Sequence, residues 1–270
     1  MNKFLKFICF FCCAFFACED VITVEVPDSE PRLVIDAVIG YNDNNGDPFT
    51  IGQVKLTLSA PFFDEEVPVV ENALVRLIDE STGEVFTLAQ DEPGVFRSGI
   101  PNLVFDRDYS LEVTYEGERY SATERLTNAT KIENVVQGDG FLFDEDETEI
   151  IITFTDIPDE RNQYLFSFGT DDFLLLDDEF FQNEQITFSY FFENLSVGEQ
   201  LIIVLLGADQ SFADYIELVL QQSDESGGNG PFATPPATIR GNIVNVSNPE
   251  NFPFGYFTLG ELDATVFVAQ

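Results

Sequence analysis

Short segments of alternating polarity dominate the sequence after residue 30 and constrain the fold more than any other feature. The clearest is QVKLTLSA (53–60), in which every second residue is apolar. This period of two is typical of a half-buried β-strand. Similar segments recur at RLVIDAVI (32–39), ALVRLID (73–79), EVFTLAQ (84–90) and YSLEVTY (109–115), separated by turn signals. The pattern predicts a mainly β chain whose first part, residues 31–127, is a β-sandwich of immunoglobulin or fibronectin type.

The second part of the chain, residues 128–270, shows the same pattern with larger side chains. After a polar, acidic stretch, strand-like segments appear at EIIITFTD (149–156), QYLFSFG (163–169), QITFSYFF (185–192) and QLIIVLLG (200–207). Aromatic rings fill one face of two of these segments. Such faces are typical of a phenylalanine-rich core, although a ligand slot would show the same pattern. We expect a second antiparallel β-rich module here.

One segment of this second module has a helical period. In SFADYIELVLQQSD (211–224), apolar side chains recur every three or four residues and share one stripe. Ser211 and Asp214 have the spacing of a capping box. We therefore expect one amphipathic helix at about residues 211–223, packed with its apolar stripe on the second sheet.

The beginning of the chain predicts an export signal. Two lysines precede an apolar run that is shorter than the roughly 20 residues needed to span a bilayer. Ala17 and Cys18 fit the cleavage box of a lipoprotein signal, in which the cysteine after the cut is acylated. We expect residues 1–17 to be a signal peptide, Cys18 to carry the lipid and residues 18–30 to form a tether. Plain secretion or an uncleaved anchor is the alternative.

Two acidic residues, Glu19 and Asp20, directly follow the lipidated cysteine. This arrangement resembles the signal that sorts Bacteroidota lipoproteins to the outer face of the outer membrane. Two or three acyl chains make a stable anchor, because each buried methylene contributes about 0.8 kcal/mol. We therefore expect a lipid-anchored outer-membrane protein that is exposed on the cell surface.

The formal net charge of −37 excludes one class of partner. Nucleic-acid binding needs a basic surface that releases counterions from phosphates, so we expect no nucleic-acid partner. The charge alone would also permit disorder, but 44% hydrophobic residues, including 29 phenylalanines, supply a large core. Once Cys18 is acylated and the signal is removed, no cysteine remains to pair, so the fold must form without disulfides.

The composition also excludes most classes of catalytic site. The chain has no histidine, which rules out Ser-His-Asp and Cys-His arrangements and the usual zinc sites. Hydrolysis by two carboxylates remains open, since the chain contains 49 acidic residues, but the sequence singles out no pair. We predict that the protein is not an enzyme.

Calcium is the one cofactor that the sequence suggests. In NDNNGD (42–47), Asp43, Asn45 and Asp47 stand at alternate positions, where oxygen ligands can converge on a hard cation. The segment is not an EF-hand, because the sixth residue of such a loop is Pro48 rather than glycine. An ordinary hairpin loop rich in asparagine and glycine is the alternative. Apart from calcium, we predict no cofactor.

The layout of the chain resembles the Bacteroidota lipoproteins grouped as domain of unknown function 4249 (DUF4249). The resemblance covers essentially the whole mature chain. It rests on the lipobox, the single helix and a set of motif residues: Asn72, Ala73, Val75, Leu77, Asp79, Tyr109, Tyr120, Ala122, Asn242, Gly255, Tyr256 and Phe257. None of these residues forms a catalytic signature. The resemblance implies a role beside TonB-dependent transporters of the outer membrane.

The expected function is therefore that of a surface lipoprotein that binds or assists and does not catalyse. The leading hypothesis is an accessory or ligand-binding partner of a TonB-dependent transporter. The alternative is an adhesion or cell-surface matrix protein that uses the same sandwich as a spacer. A carboxylate-based hydrolase is the third hypothesis.

Docking against a transporter would need a local apolar patch, because a strongly acidic surface does not dock by charge on another acidic surface. Rings on the late loops are the candidates for this contact. They are Phe232, Phe252, Phe254, Tyr256 and Phe257. Such rings are either offered to a partner or packed into the core, and the sequence does not distinguish these two cases.

Overall fold

The chain after residue 30 folds almost entirely into β-strands. The structure is a computed structural model that describes residues 30–43, 46–61, 66–142, 147–169, 172–193, 195–222 and 238–270. Within these residues the strands are β1 Leu33–Asn42, β2 Phe49–Leu58, β3 Leu74–Asp79, β4 Glu84–Glu92, β5 Val95–Ser98, β6 Asp108–Tyr115, β7 Glu118–Arg125, β8 Ile132–Gln137, β9 Thr148–Thr155, β10 Gln163–Phe168, β11 Asp172–Asp177, β12 Gln185–Phe192, β13 Gln200–Ala208, β14 Val244–Asn245 and β15 Phe257–Val268. Helix α1, Gln210–Gln222, follows β13. The predicted fold class, mainly β with one helix, is confirmed.

The strands form a long ladder and a small second sheet. The ladder has 12 strands in the order β11-β10-β13-β15-β1-β2-β5-β4-β3-β6-β7-β14. The small sheet has three strands in the order β12-β9-β8. Nearly all pairings are antiparallel, and the exception among the long strands is the parallel pair of β1 and β15. Residues Pro31–Gln270 form one compact unit.

The first core lies between β1, β2 and β5 on one side and β3, β6 and β7 on the other. Alternating residues of each strand point into it, as the period of two predicts. Its fully buried side chains include Ile35, Ile39, Val54, Leu56, Val75, Leu77 and Val113. Thr127 joins this sandwich to β15 through two backbone hydrogen bonds. Its N–H donates to the Leu259 carbonyl at 3.0 Å, and its carbonyl accepts from Glu261 N at 2.7 Å.

The second core lies between the β11-β10-β13-β15 part of the ladder and the three-stranded sheet, and it is largely aromatic. Phe154 touches the rings of Tyr164 and Phe166 at centroid distances of 5.2 and 5.6 Å. Phe168 stacks on Tyr190 with centroids 3.8 Å apart. Tyr164, Phe166 and Phe168 are buried, and the half-buried rings of Phe188, Tyr190 and Phe192 pack against them, so the two aromatic faces seen in the sequence meet in one core.

Strand β15 belongs to both sandwiches. Its first half, Phe257 to Glu261, pairs in parallel with Ala37 to Tyr41 of β1. Its second half, Leu262 to Val268, pairs antiparallel with β13. Where the first half of β15 meets the second, the strand passes close to β13. A Cβ on Gly260 would lie 2.3 Å from the carbonyl oxygen of Gly207. Glycine is needed here because there is no room for a side chain.

Helix α1 packs on the outer face of the second sandwich. Phe212 and Ala213 are the buried residues of the helix, and Phe212 packs with Leu206 and Tyr256, its ring centroid 5.1 Å from that of Tyr256. The helix is capped by Asp209, whose Oδ1 accepts a hydrogen bond from Phe212 N at 2.7 Å. The cap therefore lies two residues before the Ser211 that the sequence suggested, because Asp209 is the last residue before the helical backbone begins.

Candidate functional site

A groove runs between helix α1 and strands β10 and β11. We call it the helix groove, and its volume is about 480 Å³. Its apolar lining comes from Phe173, Leu174, Leu175, Ala213 and Leu220, and its polar lining comes from Gln163, Asp177, Gln210, Asp214, Glu217 and Gln221. Strand β11 is the last strand of the ladder, so the groove lies at a sheet edge whose outer backbone groups face away from β10. An extended or helical segment of a partner fits such a place.

The polar side of the helix groove is acidic. Asp177 accepts hydrogen bonds from Arg161 at 2.9 Å and from Gln163 at 2.5 Å. Burial acts to raise the pKa of Asp177, but these two donors lower it overall. Asp214 and Glu217 accept hydrogen bonds from the neutral side-chain amides of Gln210 and Gln221, at 2.7 and 3.1 Å. The described lining contains three acids and no lysine or arginine, so the groove favours a cationic ligand.

A second cluster joins the first sandwich to the helix. Asn242 donates to Glu124 Oε1 at 2.6 Å and binds both backbone groups of Phe257, with Nδ2 to O at 2.8 Å and Oδ1 from N at 2.9 Å. Asp209, the helix cap, lies within hydrogen-bonding reach of Glu124. Burial raises the pKa of Glu124 to about 7; the Asn242 amide opposes this shift, and the Asp209 carboxylate adds to it.

This pair of carboxylates resembles the acid pair of a hydrolase. A raised pKa beside a second carboxylate is a pattern found in such sites. However, neither Glu124 nor Asp209 lines the helix groove, and both are occupied by structural hydrogen bonds. The pair therefore connects β7, α1 and β15 and is not part of the helix groove.

A third cluster fixes the loop before β15. The Glu118 carboxylate accepts hydrogen bonds from the amides of Asn245 at 2.8 Å, Asn248 at 3.0 Å and Asn251 at 2.6 Å, and from the Tyr120 hydroxyl at 2.8 Å. The donors, with Asn248 the strongest, lower the pKa of Glu118 to about 2. With four donors on its two oxygens, this carboxylate holds the loop in place.

The residues predicted to bind calcium lie in the hairpin loop between β1 and β2. Asp43 and Asp47 are both exposed, and Asn45 lies outside the described residues. Gly46 N donates to the carbonyl of Asp43 at 2.9 Å, which closes the turn. The described residues contain no group of three or more histidine, cysteine or acidic side chains placed to hold a metal ion. Calcium at this loop stays a prediction.

The predicted lipidation and sorting residues, Cys18, Glu19 and Asp20, lie outside the described residues. In the part of the chain that the structure describes, no helix has the length and apolar character to cross a membrane.

The aromatic residues predicted as a partner contact have different environments. Tyr256 and Phe257 are buried, so these rings adopt the core alternative that the sequence left open. Phe254 is half-buried and lies against Phe252 with centroids 5.6 Å apart. Phe252 is also half-buried, and the guanidinium carbons of Arg32 and Arg240 lie 3.9 and 3.4 Å from its ring centroid. Phe232 lies outside the described residues.

Sequence reasoning did not identify the helix groove. Its lining comes from the hairpin of β10 and β11 and from helix α1, which follows later in the chain, and each element looks ordinary alone. The one available signal was DDFLLLDDEFF (171–181), in which an apolar run is bounded by acids. The structure shows that this run forms an edge strand beside a helix, which no local pattern indicates.

The fold and the site define a mainly β protein of the β-sandwich class that carries an acidic, partly apolar groove. The chain belongs to the family described as Domain of unknown function (DUF4249), which matches residues 19–263. No curated protein matches the chain.

Two solved structures show a remote likeness. A DUF4785 family protein from Legionella pneumophila is 16% identical, with a TM-score of 0.22 over 66% of this chain and 52% of that chain. The chicken interferon gamma receptor alpha chain is 10% identical, with a TM-score of 0.20 over 66% of this chain and 88% of that chain. This chain thus spans about half of the Legionella protein. TM-scores this low add nothing to the assignment of fold or function.

The raised pKa of Glu124 predicts a pH-dependent stability. Because the folded-state pKa of about 7 exceeds the ordinary value of 4.5, the stabilisation is complete below about pH 4.5 and is lost as the pH rises through about 7. Allowing for screening by solvent, the wild type should lose about 1–2 kcal/mol more than Glu124→Gln between pH 5 and pH 8. Urea unfolding followed by circular dichroism measures this difference.

The matched control is Glu80→Gln, which neutralises an exposed carboxylate. It should keep the pH dependence of the wild type. If Glu124→Gln also keeps that dependence, the Glu124 carboxyl does not titrate in the way the structure indicates.

Proposed function

We propose that the chain is a surface-exposed lipoprotein of the outer membrane that assists a TonB-dependent transporter without catalysing a reaction. The observation that carries the proposal is the helix groove, which combines apolar side chains with three carboxylates, of which only Asp177 is seen to pair with a cation, at an open sheet edge. A partner segment with apolar and basic side chains complements both features. This groove replaces the late aromatic loop as the proposed contact, since Tyr256 and Phe257 are buried.

The proposal of a non-catalytic role is supported by how the described carboxylates are used. The acids with the largest pKa shifts, Asp79, Glu118 and Glu124, are all hydrogen-bonded to residues that fix turns or loops. Asp79, for example, accepts from the N–H of Ser81 and from Arg107, and closes the turn between β3 and β4. Such carboxylates stabilise the fold and are not free to act as acid or base.

The location rests on the lipoprotein signal. The mature chain begins at Cys18 in this proposal, so the acylated cysteine holds the protein at the membrane while Glu19 and Asp20 direct it to the cell surface. The adhesion alternative uses the same anchor. The two functions therefore differ only in the partner that the described surface binds.

The first test concerns the anchor. Cys18→Ala should abolish labelling of the protein by an alkyne fatty acid and release it from membranes, because the thiol and the new amino terminus are the sites of acylation. Cys13→Ala is the control, since this cysteine lies within the predicted signal and should be dispensable. Labelling that persists in Cys18→Ala would refute the assignment.

The second test concerns the partner. Affinity purification from mild detergent extracts should recover a TonB-dependent barrel in near-stoichiometric amount. The double variant Phe173→Ser with Glu217→Lys removes an apolar and an acidic group from the groove, and should lower this recovery at least tenfold.

Ile51→Ser with Glu80→Lys is the matched control, because both residues are exposed and neither lines the groove. This control should recover the barrel as well as the wild type does. Recovery of the lipoprotein alone, under conditions in which other membrane complexes survive, would contradict the accessory role and favour adhesion. Equal losses in both double variants would exclude the groove as the contact.

A further inference from the structure

A buried polar cluster lies beyond the end of the helix groove, where two loops of the second sandwich meet. One loop joins β9 to β10 and contains Asp156 and Asn162. The other follows β11 and contains Asp178, the first residue of a short 3-10 turn, Asp178–Phe180. We call these three side chains the Asp178 cluster. In the sequence, Asp178 stands within a charge run of the kind that is usually solvated, yet in the fold it is 0% exposed.

Backbone hydrogen bonds hold the two loops together. Asn162 N donates to Asp178 Oδ2 at 2.8 Å, and Asp178 N donates to the carbonyl oxygen of Asn162 at 3.2 Å. The Phe181 N–H then closes the turn by donating to the carbonyl of Asp178 at 2.9 Å. These bonds fix the Asp178 side chain and the backbone of Asn162 relative to each other.

Two oxygens of the cluster have no hydrogen-bond partner among the described residues. They are Asp178 Oδ1 and Asn162 Oδ1, and the second belongs to a side chain that is only 6% exposed. Both atoms are acceptors, so a carboxylate and an amide oxygen in this arrangement cannot satisfy each other. A buried acceptor without a partner is costly, and a buried carboxylate without a counter-charge is more so.

The nearby groups compensate the Asp178 charge only in part, because Arg161 attracts Asp178 through space while Asp178 Oδ1 has no hydrogen-bond donor among the described residues. Arg161, the adjacent cation in the sequence, pairs with Asp177 at 2.9 Å. Asp156 adds a second buried carboxylate, which accepts from the Tyr164 hydroxyl at 2.6 Å and from Asn183 N at 2.9 Å. The cluster therefore concentrates negative charge and oxygen acceptors in a buried place.

We propose that the Asp178 cluster binds Ca²⁺, with Asp178 Oδ1 and Asn162 Oδ1 as two of its ligands. A hard cation is the ligand that neutralises the carboxylate and satisfies both oxygens at once, whereas a water molecule would leave the charge in place. Ca²⁺ accepts irregular geometry and completes its shell with backbone carbonyls and water, while Mg²⁺ demands a nearly regular octahedron. The two irregular loops of the cluster therefore favour Ca²⁺, the larger of the two ions.

The cation ties the β9–β10 loop to the turn after β11. Asp177, the residue before Asp178, lines the helix groove, so Ca²⁺ at the cluster also stabilises one wall of that groove. The site differs from the exposed β1–β2 loop that the sequence suggested. The proposal of this Ca²⁺ site rests on hydrogen bonding and burial alone, and it does not depend on the proposed function.

Calcium-dependent stability of the mature chain in mild detergent tests the proposal. With the affinity of extracellular calcium modules, a dissociation constant of roughly 10⁻⁴ M, about 10 mM Ca²⁺ should shift the folding equilibrium by roughly 100-fold. For a chain of this size the melting temperature should rise by about 5 °C or more. Tb³⁺ should report the same site through tyrosine-sensitised emission, since the chain has no tryptophan and the Tyr164 hydroxyl donates to Asp156 of the cluster at 2.6 Å.

Asp178→Asn should abolish both the thermal shift and the Tb³⁺ emission that Ca²⁺ displaces. Asp43→Asn with Asp47→Asn, which changes the exposed loop, should leave both unchanged. Asn162→Ala removes only the neutral ligand and should weaken Ca²⁺ binding at least tenfold, which keeps the test decisive if Asp178→Asn does not fold. A wild-type chain that does not respond to Ca²⁺ overturns the proposal, as does an Asp178→Asn chain that responds equally. A rotated Asn162 amide would then account for the free Asn162 oxygen.

Discussion

The structure depends on one strand that two sandwiches share. The first half of β15 completes the sheet that begins with β1, and the second half completes the sheet that contains β10 and β13. A strand contributes to a sheet only when its backbone groups pair and its side chains alternate between the faces. Neither core is therefore complete without the end of the chain, and Phe257 and Leu259 are buried in the first core although they follow the helix in the sequence.

The other stabilising clusters converge on the same strand. Asn242 binds both backbone groups of Phe257, where β15 begins, and also holds Glu124 of β7. Thr127 pairs with the strand at its midpoint, and Glu261 and Asp263 accept from backbone N–H groups of the segment that leads into β8, at 3.0 and 2.9 Å. In so acidic a chain, carboxylates serve repeatedly as internal acceptors. This structural role explains why the pKa values of several carboxylates are shifted from their ordinary values.

Local patterns in the sequence predicted much of the fold. The alternation in QVKLTLSA corresponds to β2, EIIITFTD corresponds to β9, and the one helical stripe corresponds to α1. The sequence could not predict that β15 pairs in parallel with β1, because that pairing joins residues more than two hundred positions apart. For the same reason, the rings of Tyr256 and Phe257 looked like loop residues until the strand that buries them was known. The helix groove and the burial of Asp178 depend on neighbours that no local window contains.

The shared strand implies that the two sandwiches unfold together, and differential scanning calorimetry of the mature chain tests this most directly. The account predicts a single transition whose calorimetric and van't Hoff enthalpies agree. Leu77→Ala in the first core and Ile203→Ala in the second, both at fully buried positions, should each lower that one melting temperature by several degrees, because each costs about 2–5 kcal/mol. Two separate transitions, with each variant shifting only one of them, would contradict the account.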